Sequence, residues 1–293
     1  MLIISSVRAK VYDFLLWRMI WLYYKDSSRV RRCYGELRCG EDAIRCMHCD
    51  APYSIHDGIA LFLRLDTMDA DNKKAADQTS EAYQQNYQKE QDAAAYNAKY
   101  RDRWTKRLST WREFGLLDRM LSNQGRCKVL LDLPCGGGRL SLPMARHADL
   151  LLEADIAVGQ LRYGCVHGRV PTRQAWMTAS GFHIPLRDAS VDGTVCVRLN
   201  HHLPTEAERE QLVRELLRVS KRFLIMTFFD YHSLKNRLRR LRRWFNRKPP
   251  KSTMKVAELQ RLAKDCGATL VECPTLFLIG SGHRYALIVK DTA

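Results

Sequence analysis

From residue 127 onward, short apolar runs alternate with stretches whose apolar positions recur every three to four residues. The runs predict strands at 127–133, 149–155, 173–178, 192–199 and 222–229, and the intervening stretches predict helices at 138–147, 157–168 and 205–219. Strands that alternate with helices form a mostly parallel sheet with helices on both faces, so the pattern predicts a doubly wound α/β fold. The end of the chain breaks the alternation. A helix at 255–266 is followed by Thr269-Leu-Val-Glu-Cys273 and Tyr285-Ala-Leu-Ile-Val-Lys290, two short strands that predict a terminal antiparallel hairpin and complete a seven-stranded sheet.

Upstream the pattern divides the chain into further regions. Residues 1–29 hold an aromatic and basic segment, Asp13-Phe-Leu-Leu-Trp-Arg-Met-Ile-Trp-Leu-Tyr-Tyr24, read as a helix that lies on a membrane surface or packs on the protein's own core. Residues 30–65 read as a short module. Residues 66–90 are polar and read as a linker entering a helix, which runs through Ala93-Ala-Ala-Tyr-Asn-Ala-Lys-Tyr100 to Met120. The sheet domain then occupies 91–293, with a basic insertion at 231–251.

Charge narrows the partners. The 293 residues carry 48 Lys and Arg against 32 Asp and Glu, a formal net charge of +16, which favours polyanions such as nucleic acid, an anionic membrane face or phosphorylated sugars. Ten cysteines are scattered along the chain with no secretory signal ahead of them, as expected of reduced thiols in a cytoplasmic protein. No apolar run reaches the roughly 20 residues that span a bilayer.

The chemistry centres on Val129-Leu-Leu-Asp-Leu-Pro-Cys-Gly-Gly-Gly-Arg139, a buried strand that breaks into a glycine turn. Open α/β sheets bind ligands at the carboxyl ends of their strands, and glycines there let backbone approach a ligand closely. A P-loop would end in Gly-Lys-Ser/Thr, but here Gly138 is followed by Arg139 and Leu140. Asp132, an acceptor when ionised, suits an ammonium or hydroxyl better than a phosphate.

Cys46-Met-His-Cys49, preceded by Cys33 and Cys39, has the spacing of half a structural zinc site. Zinc and free thiols both remain open for these four. With Ala51-Pro-Tyr-Ser-Ile-His-Asp-Gly-Ile59 it resembles the zinc-ribbon-like module of the tRNA-methyltransferase activator family, although Val30 stands where the first cysteine pair would begin, and the resemblance implies a small β-rich module over residues 30–65.

Past the glycine turn, strand 149–155 ends in Asp155, Ser180-Gly-Phe-His-Ile-Pro185 leads to Ala189-Ser-Val-Asp192, and the next strand runs into Asn200-His-His-Leu-Pro204. This ordered series resembles class I S-adenosylmethionine-dependent methyltransferases of the type 11-like kind. The resemblance implies S-adenosylmethionine as cofactor, with Asp132 and the Gly136–Gly138 backbone receiving its methionine end and Asp155 its ribose diol. Ser180 stands where that family often has an acid near the adenine, so Gly181 and Phe182 would contribute backbone contacts and stacking. Pro134 replaces the motif's first glycine and removes one donor. Asn200 and His201 would face the sulfonium. Tyr96 and Tyr100 share one face of the preceding helix, read either as packing or as a lid over the cofactor. His201 or His202 would take a proton from an oxygen or nitrogen acceptor.

The acceptor is read from Phe229–Lys248, where Leu234, Leu238 and Leu241 form a narrow helical stripe among basic residues including Lys235, Arg239, Arg240 and Arg243. A polyanionic substrate is expected: a phosphorylated lipid or glycolipid met at the cytoplasmic membrane face, or RNA, gripped through phosphates with Trp244 or Phe245 on a base. A solvated lid helix is the third reading, and a non-catalytic cofactor-binding scaffold subunit is the alternative to an enzyme.

Overall fold

The computed structural model describes residues 52–62, 104–242, 252–277 and 281–291, the isolated Ala94, and the backbone of four strands nearer the amino terminus. Those four are β1 (Leu22–Asp26), β2 (Arg29–Cys33), β3 (Leu37–Cys39) and β4 (Ala43–Cys46). β1 and β2 pair as a separate antiparallel ribbon, so the end of the aromatic segment expected as helix is strand from Leu22 onward. β5 (Pro52–His56) and β6 (Ile59–Leu61) turn back on each other through Asp57 and Gly58, both at positive φ.

A long helix, α1 (Trp104–Ser122), then leads into the alternating part. Its elements are β7 (Cys127–Asp132), α2 (Ser141–Ala145), β8 (Ala148–Asp155), α3 (Val158–His167) and β9 (Arg173–Thr178). There follow β10 (Val191–Cys196), α4 (Glu206–Val219), β11 (Ser220–Phe229), α5 (Leu234–Arg242), α6 (Val256–Asp265), β12 (Ala268–Glu272) and β13 (His283–Lys290). Two predicted elements are shorter than their apolar patterns. The helix expected at 138–147 is confined to α2 because the glycine turn continues to Leu140, and the strand expected at 192–199 stops at Cys196, ahead of Arg198 at φ 70°.

Among the described residues the large sheet has eleven strands in the order β12-β13-β11-β10-β7-β8-β9-β6-β5-β4-β3. The seven from β7 to β13 are parallel except β13, which runs antiparallel to both β11 and β12. The β-rich segment expected to stand apart instead continues this sheet, with β6 parallel to β9 and Ile59 opposite Trp176. β9 would otherwise leave an edge of unpaired backbone groups. Burial of Ile59 and Ala60 adds an apolar term at the seam.

Alternation along each strand sorts its side chains onto two faces. Leu131, Leu152, Met177, Leu224 and Met226 pack under α4 and α6, where Leu212, Leu216, Leu259 and Leu262 close the layer. Leu130, Leu151, Val195 and Ile225 pack under α1 and α2, against Leu117, Met120, Leu121 and Met144. α4 starts at a capping box in which the Thr205 hydroxyl accepts from the Glu208 N–H and the Glu208 carboxylate accepts from the Thr205 N–H. Such a cap contributes about 1 kcal/mol. The doubly wound arrangement places the ends of β7, β8, β9, β10 and β11 along one edge, and the start of antiparallel β13 joins them there.

Candidate functional site: the carboxyl edge of the sheet

At the end of β7 the chain passes through a cis Leu133–Pro134 bond into the glycine turn, tied to its neighbours by Leu133 N–H to Val195 O (2.9 Å) and Cys135 N–H to Ala154 O (2.9 Å). Gly136 (φ 55°) and Gly138 (φ 74°) lie in the left-handed region, which β-carbons disfavour by about 1–2 kcal/mol. The two glycines do different work. A β-carbon on Gly136 would meet nothing nearer than Gln160 Oε1 at 3.9 Å, so space is left above the turn. One on Gly138 would lie 3.0 Å from the Gly168 Cα and 3.1 Å from Ser141 Oγ, so this glycine lets the turn pack against the end of α3.

Three carboxyl groups are buried beneath the turn: Asp132, Glu153 and Asp155 are each 0% exposed. Neither oxygen of Asp132 has a hydrogen-bond partner among the described residues. Burial, then the charges of Glu153 and Asp155, push its carboxyl well above the usual range, with only Arg139 pulling the other way. Glu153 is pushed up to about 7 by burial, opposed by hydrogen bonds from the Ser141 hydroxyl (2.6 Å) and the Gln174 amide (3.3 Å). Asp155 is pushed up to about 6, also by burial, although it accepts from the backbone N–H groups of Gly136 (2.9 Å) and Ala157 (2.8 Å). Its carboxylate therefore pins the glycine turn to the end of β8.

Across the same edge, Asn200 opens a single 3₁₀ turn, Asn200–His202, that follows β10. Its side chain is 0% exposed, and neither amide atom has a hydrogen-bond partner among the described residues. The buried His201 ring stacks against His202 (4.3 Å between centroids) and Phe229 (4.4 Å), and meets His283 edge-on at 5.2 Å. His283 is pushed down to about 3 by burial and by the nearby charges of Arg198, Lys235 and Arg239, so its imidazole is neutral. The sequence reading missed His283. Its one local signal is position: the first residue of an antiparallel last strand falls on the carboxyl edge of its parallel neighbours.

A second feature missed from sequence links α1 to this edge. Glu113, 1% exposed, accepts from Arg139, just past the glycine turn, at 2.6 Å and also from Arg198, just past β10. Burial works to raise its carboxyl, but the two guanidiniums outweigh it and hold the group below its ordinary value. Tyr285 of β13 reaches the same region, 1% exposed, and its hydroxyl has no hydrogen-bond partner among the described residues.

The remaining expected residues are distributed as follows. The Ser180 hydroxyl accepts from Phe182 N–H (3.3 Å) in a tight turn at the end of β9. Gly181 is held by packing, since a β-carbon there would lie 2.7 Å from Leu212 Cδ1 of α4, and the half-buried Phe182 packs on that same layer. On α5, Arg239 donates to Asn236 Oδ1 (3.0 Å) and covers the Phe229 ring, whereas Arg240 donates to Tyr231 O (2.8 Å) and stacks on that ring at 3.9 Å. Lys235 bears on His283. Tyr96, Cys49, Arg243, Trp244 and Phe245 lie outside the described residues, as do the side chains of Cys33, Cys39 and Cys46. No helix among the described residues is long and apolar enough to cross a membrane.

Residues 131–223 match the family model of the methyltransferase domain. The Encephalitozoon cuniculi protein ECU09_1500, whose name describes it as a methyltransferase, is 30% identical over 111 residues, which are 38% of this chain and 49% of that protein. The chain thus spans about half the length of this curated relative. Among solved structures, magnesium protoporphyrin IX methyltransferase of Synechocystis with bound S-adenosylhomocysteine superposes with a TM-score of 0.57 at 17% identity, over 67% of this chain and 93% of that one. A chain of the complex between the Haloferax volcanii Trm112 methyltransferase activator and a methyltransferase gives 0.54 at 12% identity, over 71% and 98%. The fold is the Rossmann-like one shared with these methyltransferase structures, and residues 131–223 form the part of it that matches the methyltransferase-domain model.

Proposed function

We propose that this protein is a methyltransferase that transfers the methyl group of S-adenosylmethionine to a polyanionic acceptor. The observation that carries the reading is the pairing of the open space above Gly136 with the unpartnered, buried Asp132 carboxyl below it. An uncompensated buried acceptor costs roughly 1–3 kcal/mol, and an ammonium supplies the missing donors and favours the ionised carboxylate. S-adenosylmethionine brings such an ammonium, together with a methyl group already activated by its sulfonium.

The chain's own residues then bind, orient and move a proton. Asp132 and the turn hold the amino-acid end of the cofactor, and Asn200 offers a buried donor and acceptor nearby. Asp155 keeps the turn in its open shape through the Gly136 N–H and stands at the strand end where a ribose diol is expected. His201 takes the proton from the acceptor atom, within an aromatic wall of His202, Phe229 and neutral His283 that excludes water. Lys235 and Arg239 lie next to this wall, where their charge draws an anionic acceptor toward it.

Calorimetry with S-adenosylmethionine and transfer of labelled methyl to extract fractionated into RNA, lipid, polysaccharide and protein test the reading together. Binding with label in an anionic fraction is the expected result. Absence of binding overturns it, and binding without transfer to any fraction supports the scaffold alternative instead.

A further inference from the structure

Helix α5 is amphipathic in an inverted sense. Its sequence, Leu-Lys-Asn-Arg-Leu-Arg-Arg-Leu-Arg from 234 to 242, contains no acidic residue. At about 100° per residue, Leu234, Leu238 and Leu241 fall within an arc of about 60°. A helix that lids its own domain turns such a stripe inward. Here the inward position belongs to a polar residue: Asn236 is 2% exposed and donates to Asp230 O (2.8 Å) and Gly282 O (3.4 Å). The three leucines point the opposite way and are 54%, 47% and 66% exposed. Arg237 flanks the stripe on one side and Lys235 on the other.

We propose that α5 is an interfacial helix that docks the protein on an anionic lipid surface. The leucine stripe would enter the boundary between headgroups and acyl chains, while the flanking basic side chains reach the lipid phosphates. The charge pattern selects this occupant. A helix that grips RNA phosphates has no use for leucines at the centre of its outer face, and a helix that seats on a protein groove has no need of an all-basic border.

Two further observations agree. Arg239 and Arg240 are braced over Phe229 and Tyr231, so part of the basic surface is already ordered. In addition, α1 exposes Trp111 (72%) and Leu108 (47%) within two turns of Glu113, which itself reaches the carboxyl edge of the sheet. Exposed apolar side chains are therefore carried by α1 as well as by α5. Docking through α5 would bring that edge to the membrane surface, where an anionic amphiphile could be methylated without leaving the bilayer.

Vesicle co-sedimentation of the full chain without cofactor keeps this test separate from methyl transfer. The protein is compared on phosphatidylcholine vesicles and on vesicles that also contain phosphatidylglycerol, beside a Leu234→Gln/Leu238→Gln/Leu241→Gln variant. The expected result is binding to the anionic vesicles that weakens about 100-fold or more in the variant, with S-adenosylmethionine affinity and Tm unchanged. Absence of vesicle binding, or binding that the variant retains in full, would overturn the proposal. Tight binding of total RNA that displaces the protein from vesicles and survives the leucine changes would overturn it in favour of a nucleic-acid grip.

Discussion

Replacing Asp132 with asparagine should weaken S-adenosylmethionine binding while leaving the fold as stable or more so. The carboxyl is fully buried and has no donor to satisfy it. In the free protein its proton affinity is raised by burial and by Glu153 and Asp155. A group bound more tightly to its proton when folded contributes stability below its unfolded pKa, and that contribution is lost as pH rises through the folded value. Asparagine cannot ionise, so Tm of Asp132→Asn relative to wild type should rise as pH climbs above the ordinary carboxylate range. Binding should move the other way. A hydrogen bond between an ammonium and a carboxylate contributes about 1.5–3 kcal/mol, so the variant should bind about 10- to 100-fold more weakly at pH 8.

A linked pH effect provides an internal control. An ammonium favours ionised Asp132, so binding expels a proton from wild type and affinity should increase with pH above the normal carboxylate range. Glu153 (about 7) and Asp155 (about 6) titrate in the same window, and the difference between wild type and variant isolates the Asp132 share. Calorimetry in two buffers of different ionisation enthalpy measures the proton directly, and thermal scans measure Tm. A variant that is destabilised at pH 8 yet binds with wild-type affinity would refute the assignment.

Gly136→Ala should cost about 1–2 kcal/mol through its left-handed φ and also reduce cofactor affinity, since its β-carbon enters the open space; a stability loss with unchanged affinity would move the ligand away from this turn. His201→Asn should lower kcat by about 100-fold or more with S-adenosylmethionine affinity preserved, and wild-type kcat in this variant would transfer the base role to another residue. Glu113→Gln breaks a buried pairing with two guanidiniums and should destabilise the protein by about 3 kcal/mol, read as a lower denaturant midpoint; an unchanged midpoint would show that the cluster carries no net energy.

Much of the carboxyl edge of the sheet was legible because its determinants are local. A glycine turn after an apolar strand, an acid closing the next strand and two histidines after the fourth lie on short stretches whose spacing survives without a fold. The opposite wall was not legible. Glu113, Arg139, Arg198 and His283 come from widely separated parts of the chain, and no local pattern marks a residue that acts only after β13 pairs with β11. At Gly181 the structure adds a packing reason that the motif does not show, since a β-carbon there would meet Leu212 and Leu199.

The sequence by itself determined the alternating α/β order, the strand-end turn and the leucine stripe of α5, because each follows from periodicity or backbone permissiveness over a few residues. Only the tertiary structure decided that β6 joins β9, that three histidines share one wall and that the leucine stripe faces outward. A helical pattern states which residues lie on the same side. Which side meets the protein depends on neighbours brought from elsewhere, here Asp230 and Gly282 around Asn236.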